Sequence, residues 1–154
     1  EWSKQHLEKN PPPVFPAQKE LIDFFKKKGV KIYVVTASIS WAVQPAVFQY
    51  FGLPYESVLG LELVVKNNRI SPERRLPGTY REGKRDMLLK VTGHIRPFFA
   101  CGNSTGDQHL LECADLALAV RSSARQHGLK EAEDRLFLTA TQKGWLTHDF
   151  VPRS

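Results

Sequence analysis

The segment from Arg96 to Asp107 changes character half-way along. Pro97-Phe98-Phe99-Ala100-Cys101 is an apolar run of the kind that forms a strand buried in a parallel sheet. Gly102-Asn103-Ser104-Thr105-Gly106-Asp107 is small and polar, and Leu110, Leu111 and Ala114 then recur at helical spacing. A strand that breaks into such a loop and restarts as a helix points to an α/β architecture, where ligands collect at the carboxyl ends of strands. Gly102 permits a sharp turn and Gly106 a close approach of backbone or ligand. Asn103 and Asp107 put an oxygen ligand on either side of that turn, which suits a hard cation such as Mg²⁺. The same residue types also cap ordinary helices, and this segment alone leaves both readings open.

The rest of the chain repeats the alternation. Glu1 to Lys9 is polar and reads as the tail of a helix, stopped by the stiff connector Asn10-Pro11-Pro12-Pro13. Residues 1–13 are therefore expected to end one helical region, and 14–154 to form one core domain. A helix bearing Leu21, Ile22, Phe24 and Phe25 closes on Lys26-Lys27-Lys28-Gly29, basic residues at the negative dipole end followed by glycine. Val30-Lys31-Ile32-Tyr33-Val34-Val35 is β-branched and reads as a buried strand. Thr36-Ala37-Ser38-Ile39-Ser40 stands at its carboxyl end, before a helix from Trp41 to Phe51 that contains Pro45 and stops at Gly52-Leu53-Pro54.

Val58 to Val65 reads as a further strand, and Lys66-Asn67-Asn68-Arg69 as a hairpin turn with positive φ. Pro72 and Pro77 argue for irregular chain from Ile70 to Tyr80. Gly83-Lys84-Arg85-Asp86 opens a helix with Met87, Leu88 and Val91 on its core face. After strand 97–101 and helix 106–114, Leu116 to Val120 is a short strand and Ser122 to Asp134 a polar helix or loop. Leu136-Phe137-Leu138 and Trp145-Leu146 are expected to close the sheet edge, and Val151 to Ser154 to form a tail. Strands alternating with helices give a doubly wound parallel sheet.

Composition narrows the partners. The 154 residues carry a net charge of +6, but Lys26-Lys27-Lys28 and Arg74-Arg75 are not interleaved with aromatics as a nucleic-acid surface would be. The charge instead suits anionic small molecules, with no nucleic acid and no membrane as partner, since no apolar run is long enough to span a bilayer. Cys101 and Cys113 are expected to be small buried hydrophobes separated by roughly ten helical residues, too far for a bridge. A reducing, cytoplasmic location follows as an expectation. His6, His94, His109, His127 and His148 show no ligand spacing and read as surface or loop residues.

Three chemistry-bearing positions remain: Thr36, Lys84, and the Asn103/Asp107 pair. A hydroxyl with adjacent backbone N–H groups, here those of Ala37 and Ser38, can bind phosphate oxygens at a helix start. An ammonium can balance the charge that builds on a transferring phosphoryl group. A metal held by oxygen ligands screens the attacking and phosphate oxygens from each other. Lys84 stands in a first helical turn, where the dipole disfavours a cation, so its placement asks for another reason.

In this order and spacing, the motifs resemble those of the haloacid dehalogenase (HAD) superfamily of phosphatases. The branch they look most like is the phosphoserine phosphatase-like and phosphocholine phosphatase-like one. Val34-Val35-Thr36-Ala37-Ser38 looks like the second motif, with Thr36 as the phosphate-binding hydroxyl. Gly83-Lys84 looks like the third, whose Lys holds phosphate and nucleophile, and Gly102 to Asp107 like the acidic, metal-binding fourth. The similarity runs from about Phe15 to Val120. It implies a HAD-like Rossmannoid core, Mg²⁺ bound through Asn103 and Asp107, and a small phosphorylated substrate. An amino alcohol or amino acid ester is expected.

The sequence departs from that pattern twice. Asn103 stands where the fourth motif usually has Asp, removing one negative charge. The first motif, a strand ending in Asp-x-Asp, does not occur, since the aspartates stand at 23, 86, 107, 115, 134 and 149. In the resemblance that strand is central, between those of the second and fourth motifs, and a helical cap follows it. The central nucleophile strand is thus expected in an N-terminal segment outside these residues, on the same gene product or a cleaved chain. By itself this chain would then be inactive. The alternative is a non-catalytic phosphate- or partner-binding domain that has lost its nucleophile.

Overall fold

A strand exists where a neighbour takes its hydrogen bonds, and that rule moves several of the expected boundaries. The computed structural model describes residues 2–9, 11–12, 14–74, 78–122 and 127–150. It divides into two units, Glu1–Thr79 and Tyr80–Ser154. Asn10, Pro13, Arg75, Pro77 and the 151–154 tail lie outside the described residues.

In the first unit, helix α1 (Trp2–Lys9) packs against α3 (Ser40–Phe51). Helix α2 (Pro16–Lys27) starts on a proline, whose missing N–H costs nothing there, and ends with Lys26 and Lys27 in its last turn. Strand β1 (Val34–Ile39) pairs in parallel with β2 (Val58–Leu61) through Val34↔Val58, Val35↔Leu59 and Ile39↔Leu61. Residues 30–33, expected as strand, have no ladder, and Thr36-Ala37-Ser38 lies inside β1 rather than beyond it. Helix α3 runs through Pro45 and stops at Gly52, whose φ of 60° is left-handed. Val47, Leu53 and Val58 form the core, lined by Ile22, Ile32, Val34, Val43 and Phe51.

The expected strand 58–65 is two strands, because Glu62 separates β2 from β3 (Leu63–Lys66). Strand β3 turns back through Asn67 (φ 51°) and Asn68 (φ 58°) into β4 (Arg69–Arg74). This corrects the irregular reading for residues 70–74, while residues 78–80 carry neither strand nor helix, as expected. Register slips between the Val65↔Ile70 and Leu63↔Arg74 pairs, and Pro72 falls in that slip, where a ladder N–H is dispensable.

The second unit is a parallel three-stranded sheet in the order β5-β6-β7: Phe99–Gly102, Leu116–Arg121 and Leu146–Asp149. Helix α4 (Glu82–Val91) buries Met87 and Leu88 but leaves Val91, in its last turn, exposed. The expected helix 106–114 is a 3₁₀ turn, Thr105–Asp107, followed by the short α5 (Gln108–Glu112). Helix α6 (His127–Lys143) absorbs Leu136-Phe137-Leu138, which therefore do not close the sheet edge. Helical spacing explains this: Leu136 and Ala140 are fully buried while Leu138 is 61% exposed. Trp145-Leu146 does lead into the edge strand β7, as expected.

Small side chains let α6 close on the sheet: Ala117, Ala119 and Ala140 form one core with Leu111 and Leu136. Arg121 stacks over the Phe137 ring and pairs with Asp134 and Asp149, tying β6 to α6 and β7. Cys101 and Cys113 are free thiols, but not the buried hydrophobes expected: Cys101 faces out between buried Ala100 and Gly102, and Cys113 is half-buried. No described helix is long and apolar enough to cross a membrane.

Candidate functional site

The loop after β5 is built around Asp107. At Gly102 a Cβ would lie 2.4 Å from Asp107 Cβ and 2.8 Å from Leu111 Cδ1, so the tightness of the return excludes any side chain there. The N–H groups of Asn103 and Ser104 donate to Asp107 Oδ2 at 3.0 and 3.2 Å. Ser104 and Asp107 satisfy each other's backbone donors in a capping box. The capping reading of Asp107 is therefore correct, and it is not the whole account.

Lys84, in the first turn of α4, donates from Nζ to Asp107 Oδ1 at 2.5 Å. The two side chains are only 13% and 10% exposed. This ion pair supplies the reason for a lysine at the unfavourable end of a helix dipole.

Asn103 is held by a residue that the sequence reading did not single out. Its Nδ2 donates to Glu133 Oε1 at 2.9 Å, and Ser122 Oγ donates to the same oxygen at 2.6 Å. Glu133 lies on α6 and is 2% exposed. A signal was present: Glu133, Leu136 and Ala140 follow an i, i+3, i+7 spacing, so a helix here buries all three on one face. A carboxylate only accepts hydrogen bonds. The amide nitrogen of Asn103 must therefore face Glu133, which leaves the carbonyl oxygen as the atom Asn103 can offer elsewhere.

The Mg²⁺ that the motifs imply can be tested against these donors. Asp107 and the Asn103 carbonyl are hard oxygen ligands, the type this ion takes, and Mg²⁺ sites usually need only one or two carboxylates with water and substrate. Among the described residues no group of three or more His, Cys, Asp or Glu is arranged to hold a metal. The donor set fits as part of a coordination sphere completed by other oxygens. Surrounding protein atoms and, secondarily, the Asp107 carboxylate push the Cys101 thiol up to about 12. Cys101 is exposed by area, and the direction of this shift disfavours its thiolate.

In the first unit, Thr36 is half-buried and Ala37 and Ser38 are exposed. Thr36 Oγ1 accepts the N–H of Ser38 at 3.1 Å, which leaves its hydroxyl proton available to donate. Thr36 does not cap α3, whose N-cap is Ile39 without a side-chain bond. The backbone here presses on Gly60 of β2: a Cβ would stand 2.6 Å from the Ser38 carbonyl oxygen and 3.0 Å from Thr36 Cγ2. Ser40, buried, donates from Oγ to the Leu61 carbonyl at 3.0 Å and pins the strand end. The second unit thus brings Lys84, Asn103 and Asp107 together, and the first carries Thr36, Ala37 and Ser38 on one strand end.

Residues 3–112 match the family model of haloacid dehalogenase-like hydrolases. Comparison with curated proteins gave no match. Among solved structures, the chain is similar to a functionally unknown protein from Anaerococcus prevotii (TM-score 0.71, 22% identity, 91% of this chain and 41% of that one). It is also similar to a protein of unknown function from Bordetella pertussis (0.75, 19% identity, 97% and 65%). A third is a phosphoserine phosphohydrolase-like protein from Francisella tularensis (0.61, 21% identity, 88% and 62%). The chain thus spans less than two thirds of the length of each.

Proposed function

The chain belongs to the haloacid dehalogenase-like hydrolase family, and on that premise we propose that it forms part of a Mg²⁺-dependent phosphomonoesterase. The observation that carries the reading is the buried Lys84–Asp107 pair, 2.5 Å long, which joins the third motif to the fourth. Helix stability alone does not call for a lysine there.

The roles follow from the groups present. Thr36 donates its hydroxyl proton to a phosphoryl oxygen, its own oxygen being satisfied by Ser38 N–H. The exposed backbone at Ala37 and Ser38 lines the same oxygens. Lys84 balances the charge that grows on the phosphoryl group as the ester bond breaks. Asn103 and Asp107 hold Mg²⁺, directly or through water, and the ion when bound supplies electrostatic screening between nucleophile and phosphate oxygens.

The nucleophile is an Asp from a segment outside the 154 residues, none of which forms Asp-x-Asp. It attacks phosphorus and displaces the alcohol, which takes a proton from the second Asp of that motif, leaving an aspartyl-phosphate; water, giving its proton back to that Asp, then hydrolyses it to phosphate and the free nucleophile. Among the described residues, β1 pairs in parallel with β2 and β5 with β6. The substrate is a small phosphorylated amino acid or amino alcohol; the similar Francisella protein is named as phosphoserine phosphohydrolase-like.

The test is hydrolysis of p-nitrophenyl phosphate with Mg²⁺ by the full-length protein. Turnover that falls at least 10²-fold in Lys84→Ala is expected, the scale of an electrostatic contact at the transition state. No turnover by the full-length protein, or a Lys84→Ala rate within about twofold of wild type, would refute the assignment. The first of those results favours the non-catalytic alternative.

A further inference from the structure

Glu133 accounts for the identity of residue 103. Its Oε1 accepts two hydrogen bonds, from Asn103 and Ser122, in a setting where the side chain is 2% exposed. A carboxylate so buried is tolerable only with such donors. Asparagine can donate to it; aspartate cannot. An Asp at 103 would set a half-buried carboxylate against the buried one of Glu133 across the present 2.9 Å contact, with no donor between them.

We propose that Glu133 is a positioning residue for Asn103, and that it carries, one side chain further back, the negative charge the family's pattern places at 103. This rests on the metal reading above for the ligand role of the Asn103 carbonyl. By binding the amide nitrogen, Glu133 fixes which atom of Asn103 faces the cation, as outer partners fix metal-ligating histidines. The loop keeps its second negative charge without putting it in contact with Lys84 or the ion. Exchanging the two groups, Asn103→Asp together with Glu133→Gln, would reverse the direction of the hydrogen bond and preserve both the contact and the charge.

The experiment is a double-mutant cycle in the full-length protein: Asn103→Asp, Glu133→Gln, and both together. Melting temperatures are read in EDTA, and Mg²⁺ binding by calorimetry on the same proteins. Asn103→Asp should lower Tm by about 6 °C or more, the scale of an uncompensated buried charge in a domain of this size. Glu133→Gln should cost about half that, and the double variant should melt above the Asn103→Asp single. Glu133→Gln should also weaken Mg²⁺ binding about tenfold.

An Asn103→Asp protein as stable as wild type, or a double variant as low as the two losses summed, overturns the pairing. Should Asn103→Asp not fold, recovery of folded protein in the double variant upholds it, and failure of both overturns it. Unchanged Mg²⁺ affinity in Glu133→Gln overturns the positioning role. Coupled melting in a wild-type protein that binds no Mg²⁺ upholds the pair and defeats the metal reading instead.

Discussion

Replacing Lys84 by Met tests the centre of the site without relying on catalysis. Methionine keeps the packing of the lysine stem and removes the ammonium. Asp107 is then left as a carboxylate 10% exposed, with the N–H groups of Asn103 and Ser104 as its remaining donors. Breaking a buried ion pair by removing one partner costs about 3–5 kcal/mol. The two surviving donors put this case at the lower end, about 3 kcal/mol, since charged hydrogen bonds contribute about 1.5–3 kcal/mol each. For a chain of this size that is a Tm loss of roughly 6–12 °C. Urea and thermal unfolding followed by circular dichroism, at neutral pH in EDTA, give the number directly. Adding Asp107→Asn to Lys84→Met should recover about 2 kcal/mol, because the orphaned charge is gone. A Lys84→Met protein within about 0.5 kcal/mol of wild type would mean that the pair behaves as a solvated surface bridge, and the reasoning would be wrong.

Two further outcomes check the geometry around it. Gly102→Ala pushes a methyl group to 2.4 Å from Asp107 Cβ; it should destabilise by about 1–3 kcal/mol as overpacking does, and weaken Mg²⁺ binding in a calorimetric titration. Leu136→Ala, at a fully buried position, should cost about 2–5 kcal/mol in urea unfolding, and Leu138→Ala, 61% exposed, less than about 0.5 kcal/mol. Equal losses at the two positions would contradict the placement of both residues on α6.

The helices and turns with strong local chemistry were legible in the sequence. Gly29, Gly52 and the Asn67-Asn68 turn all take the left-handed conformations their residue types announce. The grouping of Lys84, Asn103 and Asp107 followed from motif order. What failed depended on partners distant in sequence. Val30 and Ile32 are β-branched like Val34 and Val35, yet β2 runs beside only the latter pair. Strand character at Leu136-Phe137-Leu138 was inferred from three apolar residues in a row, too short a run to separate strand from helix. Glu133 was hidden in a polar segment, because its burial depends on Asn103, 30 residues away, and on Ser122. Helical spacing with Leu136 and Ala140 puts Glu133 on the buried face, but a local pattern does not show which donors meet the acid there.

In the second unit the strands stand side by side in the order in which the chain is written, β5, then β6, then β7. During synthesis each new strand therefore finds its template already made, and no earlier pairing has to part to admit it. Growth in this unit runs one way, from β5 through β6 to β7.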